Sequence, residues 1–83
     1  MYKVYVLYSV DFQRTYTGFT SDLERRFKEH NSKQNKSTKA YTPWVLIYKI
    51  NIETRIEARK KEKYLKSGVG REFIKTLLLS QHK

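Results

Sequence analysis

Residues 2–18 read YKVYVLYSVDFQRTYTG, and the rest of the chain is organised around this stretch. Residues 2–9 are rich in tyrosine and valine, which suit a pleated, half-buried surface and predict a strand. Residues 11–13 form a polar turn. Residues 14–17 (RTYT) then return as a second, antiparallel strand that Gly18 ends. Side chains alternate along a strand, so Tyr5 faces away from Tyr2 and Tyr8 and cannot share their job. The chain has seven tyrosines in 83 residues, five of them on predicted strands (Tyr2, Tyr5, Tyr8, Tyr16, Tyr48). Most are therefore expected in the core or half-buried on the sheet.

Downstream, Ser21 with Glu24 forms a capping box that starts a helix running to about Asn31. Residues 31–42 (NSKQNKSTKAYT) carry Lys33, Lys36 and Lys39 and read as a mobile basic loop. Residues 44–50 (WVLIYKI) predict a third strand, entered from Pro43. Thr54 with Glu57 is a second capping box, and its helix runs to about Lys66, where residues 67–70 break it. Residues 71–79 predict a last helix whose Phe73, Ile74, Leu77 and Leu78 form a stripe that must pack on something. The order β-β-α-β-α-α implies an α+β fold: one domain over residues 1–83, a three-stranded mainly antiparallel sheet flanked by three helices.

Composition narrows the function. There is no cysteine, and His30 and His82 are the only histidines, which excludes disulfides, thiolate zinc sites and His-rich metal sites. Any metal must be held by oxygen, which points to a hard cation such as magnesium or manganese. The N-terminus lacks the features of a secretory signal, and no stretch is long and apolar enough for a membrane span, so a cytoplasmic location is expected. Eighteen basic residues against eight acidic ones give a net charge of +10. That balance favours a polyanionic partner and salt-dependent binding, with nucleic acid first. The basic residues are spread along the chain instead of on one amphipathic helix, which argues against a membrane surface.

Helix geometry marks individual residues. Leu23 and Phe27 set the buried side of the first helix; Arg26 and His30 share it, and Arg25 points almost opposite. Arg26 either snorkels to water or has a partner on that side. On the second helix Ala58 and Leu65 set the apolar face, and Glu62 lies between them. A carboxylate placed there needs a salt bridge or a bound cation, and geometry leaves both open. Glu57 occupies the capping-box position and is assigned to helix structure.

The segments KVY (3–5), TYTG (15–18) and DLERRFKEH (22–30) together resemble the GIY-YIG nuclease family, in particular its short stand-alone branch. The likeness continues through AYTPWVLIY (40–48) and EARKKEKYLK (57–66). It assigns Tyr5 to the first motif, Tyr16 and Gly18 to the second, Arg26 and His30 to the helical arginine and histidine, and Glu62 to the metal-binding glutamate. Lys3 and Val4 stand where the name-giving glycine and isoleucine are usual, and Thr17 replaces isoleucine. Larger members carry an asparagine shortly after the glutamate-bearing helix, with no clear equivalent here, and an extra DNA-binding domain.

The resemblance implies in-line attack of water on a DNA phosphodiester, in repair or processing of DNA structures. Tyr5 takes a proton from the water, its phenol pKa lowered by nearby cations; Arg26 holds a phosphate oxygen; Glu62 binds one Mg2+ or Mn2+. Tyr16 and His30 position phosphate or water. Lys33, Lys36 and Lys39 neutralise the strand backbone, with Tyr41 a further contact. The alternatives are a non-catalytic nucleic-acid binder on the same scaffold, and a subunit active only with a protein partner that supplies targeting.

Overall fold

A computed structural model describes residues 1–81. Its strands are β1 (Tyr2–Ser9), β2 (Arg14–Thr20) and β3 (Val45–Ile52), and its helices α1 (Leu23–Asn31), α2 (Arg55–Lys66) and α3 (Gly68–Gln81). The order β-β-α-β-α-α and the α+β class are those expected from sequence. The sheet runs β2-β1-β3, antiparallel throughout.

Central β1 is covered on both faces, which accounts for its unbroken apolar and aromatic run. Val4 and Val6 join Ile47, Ala58, Leu65 and Ile74 beneath α2 and α3. Tyr5 and Leu7 join Trp44 on the other face, against Leu23 and Phe27 of α1. Tyr2 and Tyr8 pack with the first cluster and Tyr5 belongs to the second, as strand alternation requires. A bulge in β3 opposite Val6 and Leu7 inserts Ile47, which keeps its side chain in the core.

The structure differs from the sequence reading in several places, and β3 runs from Val45 to Ile52 instead of 44–50. Gly18 does not end β2; it pairs with Tyr5 mid-strand, and the strand continues to Thr20. The N-cap of α1 is Asp22 instead of Ser21: its carboxylate accepts the Arg25 N–H at 3.1 Å, and Thr20 Oγ1 accepts the Asp22 N–H. The expected break over residues 67–70 shrinks to Ser67, and α3 begins at Gly68. Gly70 permits that tight corner, since a Cβ there would meet the Tyr64 carbonyl and the Leu65 backbone. The basic loop is anchored: Thr38 is fully buried, a single 3-10 turn follows at Lys39–Tyr41, and the Asn31 amide brackets the Trp44 backbone. Among the described residues no helix is long and apolar enough to cross a membrane.

Candidate active site

The Tyr5 side chain passes over Gly18, its partner across the β1–β2 ladder. A Cβ on Gly18 would lie 2.9 Å from the Tyr5 hydroxyl oxygen and 3.2 Å from the Tyr16 ring. Glycine is thus required here for space, and its φ is not in the left-handed region. The missing side chain lets a phenol rooted in the central strand reach toward the outer edge of the sheet. Tyr16, two residues before Gly18 on the same face, places its ring 6.3 Å from that of Tyr5.

His30 closes the inner side. It is fully buried, with its Nε2 3.0 Å from the Tyr5 hydroxyl and its Nδ1 2.8 Å from Thr38 Oγ1. Both contacts suit a neutral ring: in one tautomer Nδ1–H donates to Thr38 and Nε2 accepts the Tyr5 O–H, and in the other Thr38 donates to Nδ1 and Nε2–H donates to Tyr5. Its ring also lies 4.7 Å from that of Tyr16. The Thr38 carbonyl in turn accepts the Trp44 indole N–H at 3.0 Å, fixing the loop that supports the histidine.

Arg26 is 29% exposed on its side chain and Arg25 is 69% exposed, the opposite placement that helix phase requires. The Arg26 guanidinium donates to Glu29 Oε1 at 3.1 Å and lies beside Tyr5, while Arg25 reaches the other Glu29 oxygen at 3.7 Å. Glu62, on α2, lies near enough to Tyr5 for its charge to act on the phenol. Its side chain is 21% exposed and pairs at 3.5 Å with Lys66, itself 56% exposed.

The charges act on one another. Burial and then Tyr16 push the Tyr5 phenol above its usual pKa, with Glu62 adding to the rise; Arg26 opposes them and loses. This corrects the sequence reading, in which cations lower that phenol: in the protein by itself Tyr5 holds its proton at neutral pH. Burial, followed by the Arg26 charge, depresses His30, which stays neutral near pH 7, with Glu29 opposing. Burial disfavours the Arg26 cation, but Tyr5, Glu29 and Tyr16 outweigh it and hold the guanidinium charged.

Tyr5, Tyr16, Arg26, His30 and Glu62 therefore converge on one patch at the sheet edge. Lys33, Lys36 and Lys39 are exposed on the loop. Tyr41 packs against Trp44 and Phe12 beneath the Arg14 guanidinium, 4.6 Å away. Glu29 and Thr38 are supports that the sequence reading missed. The spacing of Glu29 three residues after Arg26 was a usable signal; nothing local marks Thr38.

The GIY-YIG catalytic domain matches residues 1–74, nearly the whole described chain. The chain belongs to the GIY-YIG nuclease family. Relatives named UPF0213 protein are 36% identical in Limosilactobacillus reuteri, over 93% of this chain and 82% of that one, and 38% identical in Haloquadratum walsbyi, over 77% and 72%. The solution NMR structure of a UPF0213 protein from Bacillus halodurans superposes with a TM-score of 0.55 at 32% identity, covering 93% of this chain and 85% of that one.

Proposed function

We propose that this GIY-YIG domain is a divalent-metal-dependent endonuclease that hydrolyses DNA phosphodiesters, acting on branched or damaged DNA in repair or processing. The observation that supports it best is the Tyr5 phenol, led over Gly18 and flanked by Arg26, Tyr16, His30 and Glu62. A +10 chain brings a polyanion to such a site.

The neutral states of Tyr5 and His30, in the tautomer whose Nε2 accepts, suit a relay. As water attacks phosphorus and the bond to the leaving oxygen breaks, the Tyr5 oxygen takes the water proton while its own proton passes to His30 Nε2. Imidazolium beside Arg26 is disfavoured, so the proton is readily returned. Arg26, oriented by Glu29, faces a non-bridging oxygen and stabilises its growing charge.

The donor set also suits a hard cation. No cluster of three His, Cys, Asp or Glu side chains exists among the described residues. Magnesium keeps several waters and needs only one or two carboxylates plus substrate phosphate, and the half-buried Glu62 supplies one. When bound, Mg2+ or Mn2+ adds positive charge that favours departure of the leaving oxygen. Incubating wild type and Glu62→Ala with branched, nicked and single-stranded DNA, with either metal, tests the reading. Metal-dependent cleavage by wild type alone supports it. Tight binding with no cleavage of any substrate would replace it with the non-catalytic binder.

A further inference from the structure

Beside Tyr16, the outer edge of β2 and the α2–α3 corner enclose a groove of about 210 Å3 lined by Thr15, Tyr16, Thr17, Lys66, Arg71 and the core side chains beneath them. A second hollow of similar size continues from it, sharing Thr15, Arg71 and Ile74 and ending at Lys75 and Leu78. No carboxylate lines either one. The inner end offers hydroxyls and two cations, and the outer end is mainly apolar. β2 is an edge strand, so alternate backbone N–H groups along this wall lack a sheet partner.

Arg71 sits where the two hollows join. Lys66 and Lys75 are each paired with a glutamate of their own helix, whereas Arg71 has no acidic partner among the described residues. Its backbone is fixed by the close contact of Gly70 with the end of α2 and by its N–H bond to the Ser67 carbonyl at 2.9 Å. A bidentate cation on a rigid corner, opposite threonine hydroxyls, is suited to a phosphate. Beyond it the half-buried Leu78, backed by the core residue Ile74, can take the apolar face of a sugar or base. We infer that this groove holds the DNA strand on one side of the scissile phosphate, with Arg71 gripping a neighbouring phosphate; the placement rests on Tyr16 belonging to the catalytic site proposed above.

Binding of a single-stranded oligothymidylate of about eight nucleotides, measured without metal across a salt series, tests this apart from cleavage. A phosphate contact on a single strand contributes roughly 0.7 to the slope of log affinity against log salt. Arg71→Ala should weaken binding about tenfold, the scale of one charged hydrogen-bonded contact, and lower that slope by roughly 0.7. Arg25→Ala, on an exposed helix face, should change affinity less than Arg71→Ala does. In wild type, the amides of Thr15, Thr17 and Arg71 should shift on titration with the oligonucleotide. Equal effects of Arg71→Ala and Arg25→Ala, or amide shifts confined to other surfaces, would overturn the inference. Loss of the groove contact in a protein that still cleaves would sink this inference alone. An occupied groove in a protein that never cleaves would sink the catalytic reading and leave the groove.

Discussion

Gly18 and Glu62 carry opposite kinds of constraint. At Gly18 the constraint is steric: Gly18→Ala sets a methyl 2.9 Å from the Tyr5 oxygen, and a buried tyrosine gives way poorly. Overpacking of this sort costs about 1–3 kcal/mol. Unfolding free energy should drop by that amount, and cleavage should fall further because the phenol leaves its place. A mutant with wild-type turnover would show that Tyr5 is not in the reaction. At Glu62 the constraint is charge. Lys66, its partner, is more than half exposed, so Glu62→Gln strands no buried cation and should cost less than about 1 kcal/mol. Melts of wild type and Glu62→Gln with and without manganese check this. The wild type should be stabilised by the metal and the mutant should not; a large melting loss in the mutant without any metal response in the wild type would make Glu62 a structural residue. Helix phase alone had already marked Arg26 and Glu62, because a charged side chain on an apolar face is a local anomaly. Glu29 carried only its spacing of three residues from Arg26 on the same helix, and Thr38 carried no mark at all, since its role arises from a tertiary contact with His30.

α1 and the loop after it work as one element. Thr38 and Asn31 tie the loop to His30 and Trp44, although its composition reads as free chain. Polarity predicted exposure correctly for the lysines, but one buried and one half-buried hydrogen-bonded side chain, Thr38 and Asn31, were enough to anchor the segment. The same ties make the element sensitive to acid. The His30 pKa is lower in the folded protein than its usual 6.5, so the neutral ring contributes stability that is present above that pH. That contribution is lost as pH falls through the folded value, with a slope of at most about 1.4 kcal/mol per pH unit for one group. Melting temperature should therefore fall below about pH 6.5 in wild type, and less so in His30→Gln, which keeps a donor and an acceptor. The His30 ring signals should titrate below the usual imidazole value; a normal or raised midpoint would contradict the buried neutral tautomer. The two arginines of α1 divide along its faces. Arg26→Ala should abolish cleavage with little loss of DNA affinity, and Arg25→Ala should leave turnover intact; equal losses would break the assignment of faces.

For the molecule as a whole, the strand and helix order was legible because each element has its own period and caps. The core on both faces of β1 was not drawn from the sequence, although the unbroken run from Val4 to Tyr8 accounts for it. The path of Tyr5 over Gly18 was not legible, because it depends on which residue of β2 lies opposite which residue of β1. Net charge is the remaining global property, and it acts through the exposed surface more than through the site. Lys33, Lys36 and Lys39 project from an anchored loop, so they present charge from a fixed rim. If they touch phosphates of duplex DNA, each contributes roughly 0.9 to the slope of log affinity against log salt. Replacing all three by alanine should weaken binding alike for duplexes of different sequence and flatten that slope, since phosphate contacts carry no base information. The melting temperature should hold, because all three side chains are exposed. Turnover at saturating DNA should hold as well, which separates these lysines from Arg26. Fluorescence anisotropy over a salt series, paired with single-turnover cleavage, measures both quantities on one preparation. An unchanged salt slope would remove the loop from the DNA interface and leave the sheet edge and the α2–α3 corner to account for binding. A fall in saturated turnover would instead mean that the loop acts on the site through the Thr38–His30 hydrogen bond.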